Sequence, residues 1–238
     1  MRGIALLAAF VALWQAVIVL TGVPPFILPA PARVLAALWS ARAMLAENAA
    51  VTGMEVLLGM VIGSALGIGA AVGMALSPWL CRVLRPALVA SQAVPVFALA
   101  PVLTLWLGFG TLPKIVMTVL IVFFPLASVF LDGLLAVPEG MLDLGRLARA
   151  PGWRVLVFLR LPMALPSLGA GLTVAAVYAP IGAVIGEWVG AAQGLGYVMT
   201  MANARSQTDV MFAALVVLVA MTLALHWAAG RLGAMLRG

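Results

Sequence analysis

Asp143 and Arg146 stand one helical turn apart in MLDLGRLARAPGWRVLVFLRLPMALP, where Arg149, Arg154 and Arg160 follow among leucines and Pro151, Pro162 and Pro166 punctuate the run. The segment MLDLGRLARA can form about three turns of helix with Leu142, Leu144 and Leu147 as its larger apolar residues and Arg146 and Arg149 one turn apart, and an exposed helix of that kind asks for a partner. Glu187 is the other informative carboxylate, because VIGEWVG surrounds it with apolar residues and Trp188. An acid in that setting is costly unless it faces water, a partner or the protein interior. Two roles stay open for it: an interfacial side chain that reaches water and pairs with Arg205, or a contact for a passing solute.

Catalytic chemistry is missing. No G-x-x-x-x-G-K-[ST] cradles a phosphate and no H-E-x-x-H holds a metal. His226 is the single histidine and Cys81 the single cysteine, which excludes an internal disulfide and a self-contained Cys/His metal cluster. The expectation is a chain with no catalytic residue, no metal and no cofactor, in which His226 is satisfied or interfacial.

Hydropathy sets the elements that must position these groups. Of 238 residues 66% are hydrophobic and only 8% charged. Runs such as VTGMEVLLGMVIGSALGIGAAVGMAL exceed the roughly 20 residues that cross a hydrocarbon core, and the short alternating segments of a closed barrel are absent. The fold class is therefore all-α, a polytopic membrane protein with six spans at about 3–21, 52–76, 88–107, 114–135, 163–189 and 210–230. The first is read as a retained helix, since its apolar run outlasts the roughly 7–15 residues of a leader's core. PPFILPAPARVLAALWSARAMLAENAA follows as a non-helical proline cluster and then an amphipathic interfacial helix. One domain covers 1–238, with an N-terminal helix and periplasmic segment in 1–50 and the core helices in 51–238.

With the N-terminus inside, Arg2, Arg82, Arg85, Arg146, Arg149, Arg154, Arg160, Arg231 and Arg237 fall on the cytoplasmic side, and Arg33, Arg42, Lys114 and Arg205 outside. That obeys the positive-inside rule, places both termini in the cytoplasm and makes residues 137–162 a cytoplasmic loop. The net charge of +6 follows from this bias, and without a basic run nucleic acid is not an expected partner. Asp132, at the inner end of the fourth span, is expected to anchor loop structure.

Gly59, Gly63 and Gly67 repeat every four residues, as do Gly182, Gly186 and Gly190, and such ladders form grooves where another backbone approaches. Pro180 inside the fifth span is a hinge or a matter of shape. Tyr178, Glu187, Trp188 and Tyr197 are the candidate solute-pathway residues. Their aromatic members suit stacking on a planar ring, although Trp188 and Tyr197 also fit an interfacial belt.

The pattern D-L-G-x-x-x-x-A-P-G-W followed by L-P-x-A-L-P resembles the E-A-A-x-x-x-G signature of binding-protein-dependent ABC importer permeases. In that family the loop is a coupling helix that docks into a groove on the ATPase subunit. The resemblance implies that role for Asp143, Leu144, Gly145, Arg146, Arg149, Pro151, Gly152, Trp153 and Pro162. Asp143 takes the family's Glu position, Leu144 and Gly145 its two Ala positions and Arg149 its Gly. This leaves open whether the turn is kept at Arg149 or displaced to Pro151-Gly152. On the residues alone, the alternative is an amphipathic loop resting on lipid headgroups.

ILPAPARVLAAL and VPVFALAPVLTLWLGFG are similar to segments of the nitrate, sulfonate and taurine group of these permeases. APIGAVIGEWVGAAQGLGYVM and ANARSQTDVMFAAL look most like the branch assigned to uptake of the thiamine precursor hydroxymethylpyrimidine. What the resemblance implies is a type I ABC importer permease in the inner membrane, with GLGYVMTMANARSQTD forming a short re-entrant helix. Implied partners are cytoplasmic ABC ATPase subunits, an extracytoplasmic solute-binding protein and a second copy of the chain, within membrane lipid. Sulfonate, taurine and nitrate are the alternative solutes, and an autonomous channel or secondary carrier is the alternative class.

The orientation has a direct test. Cys81 stands beside Arg82, so a membrane-impermeant maleimide should leave it unmodified in intact cells and modify it after permeabilisation. Labelling from outside would invert the topology.

Overall fold

The computed structural model describes residues 2–236; Arg237, counted above among the inner arginines, lies outside them, as do the side chains of residues 2–4 and 7. Regular structure among the described residues is helical throughout. α1 (Arg2–Thr21) leads through the proline cluster to α2 (Pro31–Ser40), which buries Val34 and Ala37. α3 then runs over Arg42–Leu76 without a break. The expected interfacial helix is thus confined to α2, because no Gly or Pro interrupts residues 42–52 and their Ala, Leu, Met and Glu all favour continuation.

The third expected span is not straight. α4 (Pro78–Gln92) and a 3₁₀ turn (Val96–Leu99) leading into α5 (Ala100–Leu107) meet at 87°. Pro95 supplies no N–H and holds ψ 107°, and it disfavours a helical conformation at Val94 before it. α6 (Leu112–Leu135) and α7 (Glu139–Leu147) follow. α8 (Gly152–Val155), a π turn (Leu156–Arg160) and α9 (Leu161–Gly190) form one rod of 39 residues. The widened turn closes with the Leu161 N–H on the Leu156 carbonyl. Pro162 comes next, and in a regular α turn its ring would crowd the Phe158 carbonyl. α10 (Leu195–Ala204) and α11 (Thr208–Met235) complete the chain.

α3, α6, the α8–α9 rod and α11 are long and apolar enough to cross a membrane, and the bent α4–α5 pair is apolar enough for a broken fifth span or a re-entrant loop. With α1, every expected span falls on a helix or a bent pair.

α6 lies at the centre, where Met117, Val122, Leu126, Ala127, Phe130 and Leu134 are fully buried. Two glycine ladders grip it. A Cβ on Gly63 would stand 3.0 Å from the Val119 carbonyl oxygen, and one on Gly67 3.2 Å from that of Phe123. From the other side, a Cβ on Gly182 would reach 2.8 Å from Thr118 Cα and one on Gly186 2.9 Å from Lys114 Cα. Thr118 is held from both sides, since a Cβ on Gly59 would also strike its side chain. At Gly190 the neighbour is Phe109, in the turn before α6.

Gly63→Leu should therefore cost about 1–3 kcal/mol or more through overpacking. Gly69→Leu on the same helix, where an added Cβ meets nothing within 4 Å, should be tolerated. Thermal unfolding of the two variants in detergent compares them, and equal midpoints would show that the ladder does not bear on α6.

Candidate functional site

Lys114 is not on the outer surface as its position at the end of an expected span suggested. It is 5% exposed, and its Nζ lies 3.2 Å from Oε1 of Glu55, which is fully buried on α3. Beyond this ion pair neither oxygen of Glu55 has a hydrogen-bond partner. A charge taken out of water needs such compensation, so α3 and α6 are committed to meet here.

Glu187 on α9 completes the cluster at 2% exposure. The Thr52 hydroxyl donates to its Oε1 at 2.6 Å, and the Gly196 N–H donates to its Oε2 at 2.5 Å. Thr52 Oγ1 also accepts from the Leu195 N–H at 2.8 Å, and Asn48 Oδ1 accepts from the Gly194 N–H at 2.7 Å. Three successive backbone donors at the start of α10 thus end on side chains of α3 and α9. These are donors that a helix cannot satisfy internally, and a carboxylate is favoured at that end of the helix. Gly194 (φ 115°) and Gly196 leave room for the acid, because a Cβ on either would run into the Glu187 side chain. Glu187 therefore faces the interior, and Arg205 borders a separate cavity with Tyr197.

The four pathway candidates do not converge. Tyr178 precedes Glu187 by nine residues, or about two and a half turns, which sets it on the opposite face of α9. There it lines a cavity of about 500 Å³ with Gln92, Phe97, Phe124 and Ile181, between α6, α9 and the α4–α5 bend. No charged side chain borders this space. Trp188 lines another cavity with Met199 and Phe212.

At the other end of the bundle α7 projects from the core. Leu144 and Leu147 are 66% and 81% exposed, Trp153 is exposed, and Asp143 pairs with Arg146 at 2.6 Å. Gly145 is the buried foot of the helix, where a Cβ would stand 3.2 Å from Val155. The turn stays at Arg149 and is not displaced to Pro151-Gly152. Arg149 has φ 50°, its N–H bonds the Arg146 carbonyl, and the Ala150 N–H bonds the Gly145 carbonyl, both at 2.9 Å. This is a Schellman ending with an L side chain where glycine is usual, at a cost of roughly 1–2 kcal/mol. Pro151 instead precedes the first turn of α8, Gly152 opens that turn and Pro162 sits in the first turn of α9. Arg160 donates to the Ala75 carbonyl at 2.8 Å, tying the loop's return to the end of α3. Asp132 holds Arg85 at 2.8 Å, so it anchors α4.

Sequence reasoning missed Glu55 and Lys114. Their signal was a charged residue inside VTGMEVLLG and another at the edge of LPKIVMTVL, each in an otherwise apolar run.

Residues 63–238 match the family described as the binding-protein-dependent transport system inner membrane component. A probable ABC transporter permease protein of Haemophilus influenzae is 45% identical, over 90% of this chain and 88% of its own. The riboflavin transport system permease protein RibX of Chloroflexus aurantiacus is 34% identical, over 92% of this chain and 82% of its own. The formylaminopyrimidine transport permease protein ThiX of Halalkalibacterium halodurans is also 34% identical, over 73% of this chain and 70% of its own. A solved chain of the MetNI methionine ABC transporter superposes with a TM-score of 0.65 at 22% identity, covering 84% of this chain and 97% of that one.

Thr52→Val keeps the shape of the side chain and removes both bonds of its hydroxyl. Leaving the Leu195 N–H and a Glu187 oxygen unpaired should cost about 1–3 kcal/mol for each group. Hydrogen exchange should rise at the start of α10 and be restored in Thr52→Ser. Unchanged exchange at residues 194–197 would show that Thr52 does not hold this helix.

Proposed function

The chain belongs to the binding-protein-dependent transport system inner membrane component family, and we propose that it passes a thiamine-precursor pyrimidine delivered by an extracytoplasmic binding protein. It is an ABC importer permease subunit, and taurine and aliphatic sulfonate permeases among its relatives set it in the nitrate, sulfonate and taurine group. ATP hydrolysis belongs to a separate cytoplasmic subunit that α7 engages.

The observation that carries the solute assignment is the uncharged cavity around Tyr178. Phe97, Phe124 and Tyr178 offer aromatic faces, and the Gln92 amide and Tyr178 hydroxyl offer hydrogen bonds, which suits a flat heterocycle. Sulfonate, taurine and nitrate carry an anionic group that this lining does not compensate. Permeases named for riboflavin and formylaminopyrimidine, both with flat ring systems, stand among the relatives. Tyr178 is 45% exposed, so the pathway needs a further wall, which a second copy of the chain supplies. Both termini and α7 face the cytoplasm in this reading, and the junction of Glu55, Lys114 and Glu187 lies toward the outside.

Energy enters through α7. Its exposed leucines and the Asp143–Arg146 pair form a docking face, and Gly145 seats that face on α8. The pair is solvent-exposed, so it adds little to folding, and its replacement reports on docking. Asp143→Lys, alone or with Arg146→Glu, should leave the permease inserted and folded. In proteoliposomes, hydroxymethylpyrimidine uptake and substrate-stimulated ATP hydrolysis should fall together, by about tenfold or more. Normal ATPase binding and uptake in the variant would reduce α7 to an amphipath on the headgroups.

A further inference from the structure

A cavity of about 890 Å³ lies between α4 and the inner ends of α3 and α6, and the transport pathway does not use it. Met74, Pro86, Val89 and Leu135 make its wall apolar, and Arg82, Arg85 and Arg160 stand on its rim. The space exists because α4 stands off the bundle: Leu88 is its one buried residue.

The rim arginines are only partly used by the protein. A guanidinium has five N–H donors. Arg85 gives one nitrogen to Asp132 and Arg160 one to the Ala75 carbonyl, both at 2.8 Å, while Arg82 makes a 3.4 Å contact with the Pro78 carbonyl. Three guanidinium groups against one carboxylate leave the rim cationic, above a wall with no charge.

We propose that this groove binds an anionic phospholipid of the cytoplasmic leaflet, with its phosphate on the rim arginines and an acyl chain against Met74, Val89 and Leu135. The assignment rests on the orientation given above and is independent of the transported solute. A free anion would satisfy the rim and leave the apolar wall wet. A second copy of the chain across the groove would bring two sets of three arginines face to face, and like charges oppose that contact. An anionic amphiphile satisfies both parts at once, and the cytoplasmic leaflet supplies it beside basic residues.

The test uses the whole transporter complex, reconstituted in vesicles of equal phosphatidylglycerol and phosphatidylcholine, extracted in mild detergent and weighed by native mass spectrometry. The wild-type complex should retain phosphatidylglycerol in preference to phosphatidylcholine. Arg82→Gln should lower that retention about fivefold, the effect of one cationic side chain near an anionic lipid surface, and Arg82→Lys should restore it. Val89→Trp fills the wall at a residue 63% exposed, so it should displace the lipid without unfolding the chain. Thermal midpoints confirm that both variants are folded. Equal retention in wild type and Arg82→Gln overturns the site. Retention that survives Val89→Trp and is lost to millimolar inorganic phosphate shows a free-anion site and overturns it as well. Cys81 lines the same cavity, so crosslinking between Cys81 residues of two copies by a short bismaleimide would make the groove an interface.

Discussion

A buried ammonium group fixes this structure at the end of the bundle opposite α7. Lys114 cannot leave water without a carboxylate beside it, and Glu55 is that carboxylate, so α6 and α3 must lie in register at this level. Glu187 brings α9 to the same place, and its oxygens are occupied by Thr52 and by the first turn of α10. The packing below agrees with that register. Gly186 approaches the backbone at Lys114, and Gly182 and Gly59 close on Thr118 one turn further along α6. In hydrocarbon no hydrophobic force distinguishes one apolar helix face from another, so close backbone approach and polar contacts must set the arrangement. Here the glycines provide the first and the charge cluster the second.

The junction and the cavity around Tyr178 are separate features of one helix. Nine residues divide Glu187 from Tyr178, so the acid looks toward α3 and α10 while the phenol looks toward α6 and the α4–α5 bend. A polar group that holds helices together must be dry and paired. A surface that lets a solute pass must keep its hydrogen bonds available. The half-turn offset would let α9 serve both needs without mixing them, with Tyr178 on the face that the proposed pathway uses. Gly194 and Gly196 serve the dry side, since a Cβ on either would fill the place of the Glu187 carboxylate.

What was legible in the sequence followed from quantities that average over a window. The apolar runs and the two glycine ladders have lengths or periods that survive without coordinates, and each corresponds to an element or a face in the fold. Pairings across the chain were not legible. Lys114 read as a border residue because a single charge at the edge of an apolar run looks like one, and only the distance to Glu55 shows that it is buried and paired. Glu187 read as a choice between water and a solute because backbone donors carry no sequence signal, yet the Gly196 N–H is one of its two partners. The bend at Ala93–Pro95 had a signal, a proline within an apolar run, but the length of the run concealed it. Arg149 kept the turn that a glycine would make, since the flanking bonds to Gly145 and Arg146 outweigh the strain of its φ.

The α8–α9 rod links the two ends of the molecule. Its 39 residues at about 1.5 Å each reach roughly 58 Å, enough to cross a membrane and project beyond it. At its first turns Gly145 of α7 rests on Val155, and Arg160 is tied to the Ala75 carbonyl. At its other end Glu187 holds the first turn of α10. A displacement of α7 would therefore bear on the foot of this rod and on the end of α3. Thr52 of α3 and Glu187 of α9 hold the same first turn of α10, so relative movement of α3 and α9 must strain the bonds that seat it. A permease subunit can pass force from one side of a membrane to the other by this route, because a packed helix does not compress and its polar ends have no alternative partners in lipid.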